Sequence, residues 1–234
     1  MRALLLHACY YYRMGFNITH IIPEINNQRN PRKNSFKSST NDRSKLFSNR
    51  QDYSEIISFD WDSALGLGTE LGFNNLRALD FDGSSNPNFI SWILGYLGLP
   101  KNYEWVVQSG SNNGFHVLFY SDYYSFPVSQ NKIRAFNPNA KYSDYIKRIE
   151  LRWTKHLVLP PSLHKTGNYY KFAFCEFPLL KPSNVLIKRV EDCIKEVCFE
   201  NGGYNKNSNP DVSTIEYEYD NEHLDFSPIL IDKY

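Results

Sequence analysis

The sequence predicts an α+β fold, a mixed sheet flanked by helices, on three observations. Strand-length apolar runs such as Leu76 to Phe81 and Phe115 to Tyr120 are bounded by Gly and Asn. Val185 to Phe199 carries Val185, Leu186, Ile187, Val190, Ile194, Val197 and Cys198 at largely helical spacing. Strands and helices alternate irregularly, which favours α+β over a repeated βαβ unit. At 234 residues, 41% hydrophobic and 22% charged, the chain is long enough for one sizeable core and has the composition of a globular protein.

Taken in order, Ala3 to Arg13 holds no Gly or Pro and reads as a helix stopped at Gly15. Asn17 to Ile22 is a β-branched strand closed by Pro23. Residues 26–50 are polar and basic with little to bury, so they read as a long, mobile loop. Order resumes at Tyr53. Leu76 to Phe81 is a strand, and Asn88 to Leu97 a helix capped by Gly98 and Pro100. Trp105 to Gln108 and Phe115 to Tyr120 flank a Gly- and Asn-rich turn, a hairpin signal. Ile133 to Lys147 fits neither pattern. Ile149 to Trp153, Leu157 to Leu159 and Tyr169 to Phe174 are strands, and Val185 to Phe199 is the clearest helix. Residues 1–200 therefore read as one folded unit, and 201–234, beyond Gly202-Gly203, as an acidic and disordered tail.

A formal net charge of +1 argues against a simple basic DNA-coating protein. The charge is unevenly spread. Arg29, Arg32, Lys33, Lys37, Arg43, Lys45 and Arg50 face a single acid, Asp42, whereas the tail carries Glu216, Glu218, Asp220, Glu222, Asp225 and Asp232. That asymmetry fits contact with nucleic acid through one part only. The 16% aromatic share reads most simply as a core built of rings. The four cysteines, Cys9, Cys175, Cys193 and Cys198, form no CxxC pair and match no zinc spacing, so they read as reduced thiols. The apolar run Ala3 to Leu6 is too short for a signal peptide or a membrane span, and a cytosolic location is expected.

Three segments carry chemistry. In Leu76-Arg77-Ala78-Leu79-Asp80-Phe81-Asp82-Gly83, alternation along a strand puts Asp80 and Asp82 on one face. Two carboxylates so close repel unless a cation sits between them, and Mg²⁺ or Mn²⁺ suits oxygen ligands. The plain alternative is a turn at Asp82-Gly83 closing a strand. Next, the run from Gln108 to Phe119 turns through Ser109, Gly110, two Asn and Gly114 before His116. Backbone N–H groups with Ser109 and His116 suit a phosphate, whereas a plain Gly-rich hairpin explains the same residues. Third, Glu150 sits in an apolar strand with Arg152 on the same face, which a salt bridge alone would explain. The Pro160-Pro161 turn that follows is rigid and leaves Ser162, His164 and Lys165 at its tip.

In this order the segments resemble the N-terminal catalytic domain of bifunctional DNA primase/polymerases, of the archaeo-eukaryotic primase superfamily. That family shows an acid-x-acid strand end, a Ser-Gly…Gly-x-His turn, and an acid-x-Arg strand running into Pro-Pro-Ser-x-His…Gly…Tyr. The likeness covers Leu65 to Phe172 and is absent beyond about Val185. It implies a primase-like core with an RRM-like catalytic half and a smaller N-terminal α/β half. It also implies a nucleotidyltransferase that synthesises primers or extends DNA from nucleoside triphosphates on a single-stranded DNA template, by a two-metal mechanism. By position, Asp80, Asp82 and Glu150 would be the catalytic and metal-binding acids. Ser109, Gly110, His116 and Arg152 would meet the nucleotide, and Ser162, His164 and Lys165 would add loop contacts. Glu150 stands where members more often carry Asp, and the turn from Gly110 to Gly114 is longer than in many.

The basic loop would track template phosphates. The acidic tail would dock on a helicase or single-strand-binding protein, and no membrane is implied. A non-catalytic primase-like module that binds nucleic acid or nucleotide, within a replication or mobile-element system, is the alternative. A rolling-circle initiator would need a His-x-His pair, which the sequence lacks.

Overall fold

A computed structural model describes residues 2–23, 36–38, 46, 49–122, 132–133, 148–153 and 156–197. Among them, in chain order, are α1 (Arg2–Arg13), β1 (Ile18–Pro23), β2 (Phe36–Ser38), α2 (Tyr53–Ser58), β3 (Gly66–Glu70) and β4 (Leu76–Asp82). Then come α3 (Pro87–Leu97), β5 (Val106–Gln108), β6 (Gly114–Tyr120), β7 (Lys132–Ile133), β8 (Arg148–Arg152), β9 (His156–Leu159), β10 (Lys171–Phe172) and α4 (Ile187–Val197). The strands form a four-stranded sheet ordered β2-β1-β3-β9 and a six-stranded sheet ordered β10-β5-β6-β4-β8-β7.

The fold is α+β, but not with the mixed sheet that the sequence suggested. Every pairing of these strands is antiparallel, and the parallel contact described is an isolated bridge between Tyr120 and Asn184. The reason lies in the connections. Parallel neighbours need long crossovers; β5 and β6 are joined by a tight turn, and the α3 crossover from β4 to β5 joins strands that have β6 between them.

β4 is the centre of the larger sheet, paired with β6 over its whole length and with β8 from Ala78 to Asp82. Its alternation sorts the two faces. Phe81 stacks on Phe115 at 4.8 Å and meets Phe89 of α3 edge-on at 5.7 Å, so α3 covers that face. Asp80 and Asp82 point the other way. α3 is well bounded: the Asn86 side chain accepts from the Asn88 and Phe89 amides, Pro87 opens the first turn, and Gly98 closes the helix. Phe89, Ile90, Ile93, Leu94 and Leu97 form its buried stripe, and α4 packs beside it. At the other edge Trp105 gathers Phe16 at 5.0 Å and Phe172 at 5.8 Å, which ties the N-terminal segment to the larger sheet.

Two parts of the fold depart from the sequence reading. The basic stretch 26–50, taken as a loop, contributes β2 to the smaller sheet and the buried Leu46 to the core. β3, passed over in the sequence, pairs with both β1 and β9 at the centre of that sheet. Ile133 to Lys147 and the tail 201–234 fall mostly or wholly outside the described residues. Among the described residues Cys9, Cys175 and Cys193 are free thiols. No described helix is long and apolar enough to cross a membrane.

Candidate active site

β9 is an edge strand, and an edge strand leaves a row of backbone groups without strand partners. Here they are met from the larger sheet. The Arg152 guanidinium donates to the His156 carbonyl at 3.1 Å, and His116 Nε2 lies 3.1 Å from the Val158 carbonyl. These bonds stitch the edge of the smaller sheet over the open face of the larger one. The result is a cavity of about 530 Å³ with Asp80, Asp82 and Arg152 on one wall and His156, Leu157 and Val158 on another.

Register sets the acids. Asp80 lies directly opposite Glu150 on β8 and His116 on β6, and Asp82 opposite Arg148 and Gly114. Arg152 comes from β8 two residues beyond Glu150. Its Nε donates to Asp80 Oδ2 at 2.8 Å, and its Nη2 reaches Asp80 Oδ2 at 2.7 Å and Glu150 Oε2 at 2.8 Å. One guanidinium thus bridges two carboxylates, as its forked donors allow. Asp80 and Asp82 border the cavity; Glu150 is buried and does not.

The donor chemistry suits a hard divalent cation at Asp80 and Asp82, because Mg²⁺ is commonly held by one or two carboxylates together with substrate phosphates. Of the three acids that the sequence offers to a metal, Asp80 and Asp82 border the cavity and Glu150 lies behind them. Among the described residues no three His, Cys, Asp or Glu side chains are grouped to hold an ion. Arg152 already engages Oδ2 of Asp80 and Oε2 of Glu150.

His116 is buried, and its ring pKa is pushed down to about 3 by that burial, with Arg152 adding to the shift. The neutral ring donates from Nε2 to Val158. Tyr170 lies across the cavity, 6.3 Å from the His116 ring and 5.7 Å from His164, and burial raises its phenol pKa. His164 and Lys165 border the cavity too. Burial and then the Lys165 charge lower the pKa of His164.

The turn from Ser109 to Gly114 differs from the expected cluster of free amides. The amides of Ser109, Ser111, Asn112 and Asn113 bond within the turn, to the Gly114 carbonyl, the Ser109 hydroxyl, the Ser109 carbonyl and the Ser111 hydroxyl. The turn therefore offers the cavity the side chains of Ser109, Ser111 and Asn113. Gly110 lies behind them as a spacer, since a Cβ there would come within 2.5 Å of the His164 Cβ.

Ser162 is not at a loop tip. It is fully buried, its hydroxyl bonds the carbonyls of Leu67 and Leu159 at 2.8 and 2.6 Å, and it accepts from the Leu67 amide at 2.8 Å. It anchors the turn and leaves His164 and Lys165 to face the cavity. Arg50, counted above among template-contacting bases, lies over the Tyr12 ring and donates to the carbonyls of Phe16 and Tyr12. Most of the basic stretch is outside the described residues.

Sequence reading missed His156, Tyr170, Ser111 and Asn113 as cavity residues. Tyr170 sits in the quoted Gly…Tyr motif and could have been found there; His156 carried no local signal. No curated protein matches the chain. A family model described as bifunctional DNA primase/polymerase, N-terminal, matches residues 8–182 and so takes in both sheets' site-forming strands. With well over half of its length matched, and with the paired aspartates of β4 set in the cavity wall, the chain belongs to the Prim-Pol family.

Proposed function

We propose that the chain catalyses metal-dependent nucleotidyl transfer, making primers or extending DNA from nucleoside triphosphates on a single-stranded DNA template. The observation that carries this reading is the pair Asp80 and Asp82 on one cavity wall of a Prim-Pol domain, opposite a polar turn and a lysine-bearing loop. The strand order β5-β6-β4-β8, with α3 between β4 and β5, corresponds to a βαββ…β arrangement and supports an RRM-like catalytic half. The N-terminal segment with the four-stranded sheet is then the smaller half.

Mg²⁺ or Mn²⁺ at Asp80 and Asp82, with Glu150 as the third acid of the set, would supply charge neutralisation and a more acidic 3′-hydroxyl. The chain's own residues do the rest. Ser109, Ser111 and Asn113 present hydroxyl and amide donors to triphosphate oxygens, and Lys165 adds a point charge. His116 keeps Nε2 on Val158, so its other nitrogen donates to a phosphate only from the protonated ring, a form that a bound polyanion favours. Arg152 holds Asp80 in place and supplies positive charge beside the phosphates. The basic residues from Arg29 to Lys45 suit template phosphates, which makes affinity fall with salt.

The test is synthesis on single-stranded and on primed DNA with labelled nucleotides and Mg²⁺ or Mn²⁺. Wild type is expected to give product that Asp82→Ala and Glu150→Gln do not, and product without a primer adds priming. One observation favours a second reading, a non-catalytic binding module: Arg152 occupies the acids as a permanent cation would. Nucleotide or DNA binding by wild type with no product under any metal would establish that module instead.

A further inference from the structure

His156 borders the cavity from the smaller sheet, and its ring is held with more care than the proposed chemistry requires. At the start of β9 it lies opposite Glu70, the last residue of β3. Its Nδ1 is 3.2 Å from Glu70 Oε1 and 3.2 Å from Thr19 Oγ1. The Glu70 side chain is fully buried, while that of His156 keeps 19% exposure. Room for the ring is made by Gly68, where a Cβ would come within 2.3 Å of Cε1 and 2.6 Å of Nε2. Three residues of two other strands therefore fix one imidazole at a cavity wall.

A carboxylate accepts, so in the neutral imidazole Nδ1 carries the hydrogen and Nε2 is left as an acceptor. Among the described residues Nε2 has no hydrogen-bond partner. An acceptor cannot bind a phosphate oxygen. It wants a hydroxyl or an amino hydrogen, and an enzyme copying a template must admit every base, whose edges differ. The sugar hydroxyls are the donors common to all nucleotides. We propose that His156, oriented by Glu70 and Thr19, accepts a hydrogen bond from a hydroxyl of the nucleotide's sugar and so sets which sugars the cavity takes. This rests on the nucleotidyl-transfer reading and extends it: His156 touches substrate, and Glu70 is a positioning residue.

The experiment is equilibrium binding of GTP, dGTP and 2′,3′-dideoxy-GTP, and of the corresponding CTP series, with Mn²⁺ present. It uses wild type, His156→Phe and Glu70→Ala, with melting curves to verify folding. His156→Phe keeps a ring over Gly68 and removes the acceptor. Wild type is expected to bind the hydroxyl-bearing nucleotide about tenfold more tightly than the dideoxy form, the worth of one hydrogen bond. In His156→Phe that gap closes while dideoxy affinity stays unchanged, and in Glu70→Ala it narrows. The behaviour of dGTP between the other two tells which hydroxyl is read.

An equal gap in wild type and His156→Phe overturns the proposal, as does equal weakening for all three sugars. Should Glu70→Ala alone unfold, the His156→Phe arm still decides. If wild type binds none of these nucleotides, the nucleotidyl-transfer reading falls and this proposal with it; binding without sugar preference removes this proposal alone.

Discussion

Ser162 and His116 are each buried polar side chains, yet they respond to different variables. The Ser162 hydroxyl serves three backbone groups of β3 and β9, so Ser162→Ala strands the buried Leu67 amide. A loss of about 1–3 kcal/mol is expected, read as a lower urea midpoint. His116 acts through protons. Its pKa falls from the ordinary 6.5 to about 3 on folding, so between those values the unfolded chain binds a proton that the folded ring refuses. Its contribution is complete above about pH 6.5 and is lost as pH drops toward 3. Urea midpoints across that range should fall less steeply for His116→Gln than for wild type. Arg152 links to metal. Arg152→Gln removes the guanidinium that Asp80 and Glu150, opposite each other on β4 and β8, share. The variant should melt below wild type in chelator and gain more from added Mn²⁺ than wild type gains.

α3 and β3 are opposites as elements. α3 was legible from Asn88 to Leu97 by its Gly98 and Pro100 stop, and the Asn86 cap, Pro87 and the buried stripe agree with that reading. Within it Gly95 is exposed, and a Cβ there would meet nothing within 4 Å. Gly95→Ala should therefore stabilise the protein by about 1 kcal/mol through helix propensity, raising the melting temperature. β3 reads Gly-Leu-Gly-Thr-Glu, which has little β propensity of its own. It is a strand because β1 and β9 pair with it on both sides. β2 was hidden in the same way, as three residues within a polar stretch. Alternation placed Asp80 and Asp82 on one face without help. No local pattern could place Glu70 beside His156, since the pair is separated by 86 residues.

For the whole molecule, what matters is that two sheets meet along one edge and that the cavity is the gap they leave. β4 is flanked on both sides and covered by α3, so its central amides from Ala78 to Phe81 should exchange hydrogen only by global unfolding. The amides of β10, a two-residue edge strand, should exchange faster, and mass spectrometry of deuterium uptake would rank them. The joining of the sheets was not legible in the sequence, because it depends on side chains reaching another sheet's carbonyls. A last consequence concerns how this chain can vary. At Gly66 any side chain would start 2.3 Å from the Ser162 hydroxyl, and at Gly68 within 2.6 Å of the Leu157 carbonyl. In a library carrying every single substitution, those two columns should stand empty among survivors while Gly95 fills. Drift in the lineage is then closed at these two positions of β3 and open at Gly95 of α3.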